Sequence, residues 1–230
     1  MKKIFYYFVV LESCAIIILF ILSIGACREP KVVHSSITYE EHQQNLPQRE
    51  EQEPKQVLPP QVILGPQVTD LPGEDESYEP LAGFQAGFIM PIARINEFLN
   101  FRAELNGSSQ GANYEEDYGL SGKVSLFYLN LPLVLRYQFR NGFFGEAGIQ
   151  PGICISAKDK YSGSSYNYKD QISTFDFGIP LGIGYEFRNG FGLGLRVIEG
   201  INNVNSSGET KDRNFVMALR GSYSLKGIKK

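Results

Sequence analysis

The residues that could carry out chemistry in this sequence are few and scattered. The two histidines, His34 and His42, lie in a polar stretch, and their spacing matches no common zinc motif. Cys14 and Cys27 lie in the N-terminal apolar region, which leaves Cys154 without a cysteine or histidine at metal-ligand spacing. A lone cysteine in a strand is most often a small apolar filler. We therefore expect no catalytic residue, no metal site and no cofactor.

The remaining acids and the overall charge point the same way. Glu115 and Glu116 are adjacent, but they lie in a stretch rich in Tyr, Asn and Asp that is typical of a solvated loop. The two histidines are the only ones in the chain, and both precede the strand-forming part, so no Ser/His/Asp set is available there. The formal net charge of −3 does not favour nucleic-acid binding. These observations predict a protein that is not an enzyme.

A second set of charged residues has a regular spacing. From Val62 on, almost every apolar run alternates with period two, most clearly in "TFDFGIPLGIGYEF" from Thr174. The non-apolar faces of these runs are mostly glycine, with arginines and acids in balance. These charged residues are Arg102, Glu104, Arg136, Glu146, Asp176, Glu186, Arg196 and Arg220. We predict that they form an ion-pair and hydrogen-bond network inside a narrow barrel, because small residues there leave room for long neighbours and buried charges require partners.

The elements that would position these residues are about eight antiparallel strands. Pro66 makes the run at Val62 a weak first or edge strand. Short turns are predicted near Ile95, at Asn141-Gly142 and at Asn189-Gly190, the last two as two-residue type I′ turns. Longer polar loops are predicted at residues 69–80, 107–122, 158–173 and 203–213. Short turns at one end and long loops at the other indicate an all-β, up-and-down barrel of the outer-membrane type.

The opposite face of the strands is apolar and free of charge on at least four strands. A Lys or Arg at the midplane of a lipid-facing wall would cost about 2–4 kcal/mol, so this absence fits contact with lipid. The aromatic residues beside the two Asn-Gly turns match an interfacial girdle. They are Tyr137, Phe139, Phe143, Tyr185, Phe187 and Phe191. We predict that Phe187 and Phe191 point to lipid, and that Glu186 and Gly192 point inward.

Residues 1–27 are typical of an export signal. Lys2 and Lys3 precede an apolar run over residues 15–22, and the segment ends in "IGAC", which is similar to a bacterial lipobox. Three alternatives stay open: cleavage without a lipid, lipidation of Cys27, and an uncleaved membrane anchor. All three place the rest of the chain beyond the cytoplasmic membrane.

Residues 28–60 differ from what precedes and follows them. The stretch "EEHQQNLPQREEQEPKQVLPP" is rich in Gln, Glu and Pro and has no apolar period. Such a segment cannot bury enough apolar surface to offset its ordering entropy, which predicts a disordered linker. The barrel domain is then predicted over residues 61–226.

Three stretches carry a resemblance to a known family. They are "LAGFQAGF", "YLNLPLVLRYQFRNGFFGEAGIQPGICISAK" and "FDFGIPLGIGYEFRNGFGLGLRVIEGINNVN". Together they resemble the PorT-like outer-membrane β-barrel domain family of Bacteroidetes-type bacteria, from about Val62 to Tyr223. The resemblance implies an eight-stranded outer-membrane barrel with both termini in the periplasm. It carries over no catalytic residues.

These features predict a small, non-enzymatic, integral outer-membrane barrel with a closed interior and a structural or loop-mediated surface role. We expect a monomer surrounded by outer-membrane lipid, with its linker in the periplasm. Envelope proteins could contact the loops or the linker. Two alternatives stay open: an accessory component of an envelope or secretion machine, and a lipid-tethered, soluble, lipocalin-like carrier.

Overall fold

Alternating apolar residues fold into long strands that together close a barrel. The computed structural model describes residues 58–72, 78–116, 120–161, 164–167, 169–206 and 211–225, although not the side chains of residues 115, 116 and 120. The signal segment, Cys27 and most of the linker lie outside these residues. Within the described ranges, no helix combines the length and apolar character needed to cross a membrane.

Within these ranges ten strands form in chain order, and the barrel wall has eight staves, where a stave is one strand or two strands in line. The strands are β1 (Gln61–Asp70), β2 (Tyr78–Arg94), β3 (Leu99–Glu116), β4 (Leu120–Asn130), β5 (Leu133–Gln138), β6 (Phe143–Tyr161), β7 (Ser164–Asn167), β8 (Phe175–Glu186), β9 (Phe191–Gly200) and β10 (Phe215–Ser224). Strands β4 and β5 form one stave interrupted at Leu131 and Pro132, since both pair with β3 and β6. Strand β7 pairs only with the end of β6, and a short 3-10 helix, Lys169–Gln171, follows it.

The first strand closes the ring. Strand β1 pairs antiparallel with β2 on one side and with β10 on the other, so it is not an edge strand. The ladder with β10 omits Gly65 and Pro66, whereas Pro66 stays opposite Phe84 of β2. The proline has no N–H to donate, and the gap in the β10 ladder accommodates this loss. The fold is therefore the all-β, antiparallel, up-and-down barrel predicted from the sequence.

The strands extend further than the alternation of apolar residues suggested. The predicted loop at 107–122 is wrong over most of its length, because β3 continues to Glu116 and β4 begins at Leu120. Strand β6 likewise continues to Tyr161, inside the predicted loop at 158–173. A membrane-spanning strand needs about 9–11 residues, so strands of 17 to 19 residues carry a polar extension at one end. We call this end the loop rim.

The opposite end, which we call the turn rim, has tight turns of a type other than predicted. The Gly142 N–H donates to the Phe139 carbonyl, and the Gly190 N–H donates to the Phe187 carbonyl. Each turn is thus centred one residue earlier than a two-residue Asn-Gly turn and has a three-residue loop. Gly142 and Gly190 have φ values of 100° and 85°, which match the glycine of a bulge that follows a type I turn.

The two faces of the wall differ in composition. The outer face exposes apolar side chains on every stave, among them Leu64, Phe88, Leu135, Ile183 and Leu219. Phe187 and Phe191 lie on this face at 44% and 41% exposure, whereas Glu186 and Gly192 face the interior. The inward and outward directions predicted for these four residues are confirmed. The core of the molecule is the filled barrel interior.

Candidate functional site in the barrel interior

Seven charged side chains are linked by ion pairs inside the barrel, and we call them the ion-pair network. They are Arg102, Glu104, Arg136, Glu146, Glu186, Arg196 and Arg220. At its centre, Arg196 of β9 donates to both carboxylate oxygens of Glu104, at 2.7 and 2.8 Å. Arg220 of β10 donates to the same carboxylate at 2.7 Å. The pairs join strands that are distant in sequence.

Glu146 of β6 is the most shared carboxylate. Its Oε2 accepts two charge-assisted hydrogen bonds from Arg136, from Nη2 at 2.8 Å and from Nε at 3.0 Å. Its Oε1 accepts from Arg220 at 3.2 Å and from Arg196. Since all four residues are buried, removal of one partner leaves the others with an uncompensated charge. Glu146 therefore ties β5, β9 and β10 to β6.

Two members of the network lie towards the turn rim. Glu186 accepts from Arg136 at 3.3 Å, and its side chain keeps 26% of its surface exposed. Arg102 approaches the same Glu186 oxygen only to 3.9 Å and donates to Gln61 over a long 3.4 Å. The network is thus tight at its centre and loose at this end.

Asp176 is buried in the barrel interior and accepts a hydrogen bond, as predicted, but it does not belong to the ion-pair network. Its Oδ2 accepts a hydrogen bond of 2.8 Å from Asn214, which also donates to the Tyr128 hydroxyl at 3.2 Å. Asp176 lies near the beginning of β8, at the loop rim, whereas Glu186 ends the same strand at the turn rim. Alternation placed Asp176 on the correct face, but it could not give its height in the barrel.

Inward glycines make room for the long side chains, as the sequence suggested. The Phe144 ring lies against Gly184 and Gly194, where an added Cβ would meet its Cζ atom. The Arg136 guanidinium lies over the same ring, 3.6 Å from its centroid. This stack fixes Arg136 in position to bind Glu146 and adds a cation–π contact.

Two further layers fill the barrel above the network, and the sequence analysis missed both. The amide layer consists of buried amide side chains. Four of them, Gln67, Asn106, Gln110 and Asn130, take part in hydrogen bonds, for example from Gln67 to Ser108 at 3.0 Å. Its members are Gln67, Gln85, Asn106, Gln110, Asn130 and Gln150. On β3 the inward residues change in order from Glu104 to Asn106, Ser108, Gln110 and Ala112. These residues are small or polar and show no alternation of apolar residues, which is why the segment resembled a loop.

The last layer, at the loop rim, is an apolar plug. It consists of Leu71, Ala112, Val124, Leu126, Tyr128, Cys154, Ala157, Ile172 and Val204. Ile172 and Val204 come from the connections between strands, and a Ser173 N–H to Val204 carbonyl bond of 2.8 Å joins those connections. Cys154 is a buried free thiol in this cluster, consistent with the expected role as apolar filler. Two connections therefore cover one mouth of the barrel.

The cavity beside the ion-pair network is small. A cavity lined by Arg136, Phe144, Glu146 and Arg220 has a volume of about 10 Å³, near the minimum for a single water molecule. Within the described part of the chain, no group of three or more His, Cys, Asp or Glu side chains could hold a metal ion. The arrangement of charges cross-links strands that are distant in sequence.

Aromatic rings surround part of the turn rim on the outer face. Tyr137 contacts Phe98 and Phe139 with ring centroids 5.8 and 4.9 Å apart. Tyr185 contacts Phe143 and Phe187 in edge-to-face geometry at 5.0 and 4.8 Å. The aromatic cluster predicted beside the turns is confirmed, with Phe98 as a further member. We call these residues, together with Phe191, the aromatic rim.

A barrel with a charged interior and an apolar outer wall bounded by aromatic rings is the arrangement of a transmembrane β-barrel. The sequence profile of a family described as "outer membrane protein beta-barrel domain" matches residues 62–206. The chain belongs to the outer membrane protein β-barrel domain family. This membership places the barrel in the outer membrane.

Solved outer-membrane barrels have a similar fold. Neisserial surface protein A is 14% identical, with a TM-score of 0.51 over 72% of this chain and 97% of that one. Ail, the attachment invasion locus protein of Yersinia pestis, is 13% identical, with a TM-score of 0.42 over 72% of this chain and 97% of its own. The outer membrane enzyme PagL is 14% identical, with a TM-score of 0.40 over 72% and 99%. Among curated proteins, no sequence matches this chain significantly.

Proposed function

We propose that this outer-membrane barrel is closed and non-enzymatic, and that it acts as a structural protein or through contacts of its loop rim. The observation that carries the proposal is the filled interior. The ion-pair network, the amide layer and the apolar plug follow one another from the turn rim to the loop rim. Conduction would require these layers to separate, which would leave buried charges without partners.

The loop rim offers the surface for external contacts. The polar extensions form a groove of about 370 Å³, lined by residues that include Asn113, Tyr114, Lys123 and Lys160. Tyr114 is held by a 2.8 Å hydrogen bond from its hydroxyl to Asp159. An extended and polar strand surface of this kind suits recognition of another molecule.

We propose the following orientation and processing. The turn rim faces the periplasm, the loop rim faces the outside of the cell, and the linker at residues 28–60 lies in the periplasm. The barrel is monomeric and surrounded by outer-membrane lipid. Residues 1–27 direct export, and cleavage without lipid, lipidation of Cys27 and an uncleaved anchor are distinguished by mass spectrometry of the mature N-terminus.

Two alternative roles can be distinguished from this one by experiment. A PorT-like accessory of an envelope or secretion machine would contact its partners through the linker or the loops. A soluble, lipid-tethered carrier would need a ligand cavity, and the filled interior and the apolar outer wall weigh against it. Cross-linking from the turn rim tests the accessory role, because an envelope partner in the periplasm would be captured there.

Epitope insertion combined with fractionation tests the proposal. One epitope is inserted at the exposed Lys211 of the loop rim, and a matched one at Arg140 of the turn rim. We expect antibody to label intact cells only in the first case, and we expect detergent to be required for extraction. Labelling only at Arg140, or release without detergent, would contradict the proposal.

A further inference from the structure

The buried charges of the ion-pair network do not balance. It contains four arginines and three glutamates, and six of these seven side chains are at most 7% exposed. Arg136, Arg196 and Arg220 form close pairs with Glu104, Glu146 and Glu186, at 3.3 Å or less. One positive charge is left over, and it lies on Arg102.

Arg102 has weak contacts for a buried guanidinium. Its side chain is 3% exposed, yet its approach to Glu186 is 3.9 Å, and Arg136 already binds that carboxylate at 3.3 Å. Its bond to the neutral Gln61 amide is 3.4 Å long. Its Nε atom is buried without a hydrogen-bond partner. An uncompensated buried charge is costly, so a folded barrel benefits from any anion that reaches this point.

The surroundings of Arg102 are polar and close to the turn rim. On the inner face of β3, only Asn100 lies between Arg102 and the turn at residues 95–98. The Asn100 Oδ1 atom is also buried without a partner. A hydrated anion at this point would offer an acceptor to Arg102 Nε–H, and one of its water molecules would offer a donor to Asn100 Oδ1. Glu186 is partly exposed, so solvent can approach Arg102 from the side of Glu186.

We propose that a small monovalent anion of halide size binds beside Arg102 and completes the charge balance of the ion-pair network. The anion enters from the turn rim and acts as a structural ion that stabilises the fold. The site is defined by the Arg102 guanidinium, the adjacent polar layer of Asn100 and Gln61, and the carboxylate of Glu186, which limits how many anions can bind. The inference concerns the interior only and does not depend on the role of the loop rim.

The test is the anion dependence of thermal unfolding of the detergent-solubilised full chain. Sodium chloride is compared with sodium gluconate at equal ionic strength, so that screening is constant. The apparent melting temperature of the wild type should rise by roughly 3 °C for each tenfold increase in chloride above its dissociation constant. Arg102→Gln should abolish this rise. Arg140→Gln, which alters an exposed arginine at the same rim, should leave it unchanged.

A second variant and a direct measurement keep the proposal open to refutation if Arg102→Gln does not fold. Glu186→Gln raises the excess charge by one, so it should make the chloride dependence steeper. Crystals grown in sodium bromide should show anomalous scattering within contact distance of Arg102. The proposal is overturned by a wild type that unfolds identically in both salts, by an unchanged dependence in Arg102→Gln, or by bromide at exposed positions as an adventitious ion only.

Discussion

Glu146 accepts hydrogen bonds from arginines on three different strands. No neighbouring acid can replace it, because Glu104 is occupied by Arg196 and Arg220, and Glu186 lies at the turn rim. A single side chain thus holds together staves that are far apart in sequence. The loss of one such buried carboxylate is costly because it leaves buried arginines without a partner.

The substitution Glu146→Gln removes the shared negative charge and keeps the shape. We expect a loss of stability of about 3–5 kcal/mol, since three buried arginines lose a partner. Urea unfolding of the refolded barrel in detergent measures this. The matched control is Glu97→Gln, which breaks an ion pair with Arg140 whose partners are 58% and 77% exposed. The loss of stability in Glu97→Gln should be less than about 1 kcal/mol. Equal losses in the two variants would argue against a structural network.

Gly184 is needed for space rather than for backbone freedom. The Phe144 ring and the backbone of β9 occupy the position that a Cβ atom would take. Gly184→Ala should therefore destabilise the barrel by about 1–3 kcal/mol through overpacking and should displace Arg136 from its stack. Gly221→Ala is the control, because its Cβ would meet only ordinary contacts, at 3.5 Å or more. Comparison of the two unfolding midpoints checks the claim, which a neutral Gly184→Ala would contradict.

At the scale of elements, the turns repeat one design. In both Asn-Gly turns the asparagine Oδ1 accepts from the backbone N–H two residues later, at 3.2 and 3.0 Å. The glycine carbonyl accepts from the next stave: Gly142 from Glu186, and Gly190 from Ser224, each at 2.8 Å. Each turn therefore joins the two strands of its hairpin and also bonds to the strand that follows the hairpin in the barrel.

Gly190→Ala should cost about 1–2 kcal/mol, because φ of 85° places a Cβ in a strained conformation. Arg188→Ala in the same loop is the control and should have little effect, since that side chain is exposed. Hydrogen exchange of the Ser224 N–H provides a local measurement: it should speed up in Gly190→Ala and stay slow in Arg188→Ala. Unchanged protection of Ser224 in both variants would show that the turn does not hold β10.

The elements also show what the sequence could predict. Strand faces follow from a period of two that is purely local, so the directions of Phe187 and Glu186 were predictable. The full length of β3 was not predictable. The half of β3 nearer the loop rim is polar, and its pairing with β4 holds it in the sheet. The separation of Asp176 from the network depends on strand register, which a single sequence does not contain. The type of turn was missed because Arg140 and Arg188 carry no signal that distinguishes a three-residue loop.

At the scale of the whole molecule, the aromatic rim relates the barrel to its membrane. The rings pack on one another around the turn rim, and each pair contributes about 0.5–1.5 kcal/mol beyond its buried area. Rings at this height belong at the boundary between lipid and water. The rim therefore fixes the depth of the barrel in the bilayer as well as packing the outer wall.

Tyr185→Ala should remove two ring contacts and lower stability by about 1–3 kcal/mol in lipid vesicles. The control is Tyr166→Ala, which alters an exposed residue of β7. Folding into vesicles, followed by the gel mobility of unheated samples, measures both. A Tyr185→Ala barrel that inserts and resists unfolding like the Tyr166→Ala variant would argue against an interfacial role of the rim.

The central claim is that the barrel is closed by its own side chains from the turn rim to the loop rim. Planar-bilayer recording of the purified full chain tests it most directly, with an open porin reconstituted in the same lipid as a positive control. The filled interior predicts no steady conductance above that of the bare bilayer over the usual range of voltages. A stable, reproducible conductance would contradict the claim, because it would require a continuous water path through the ion-pair network.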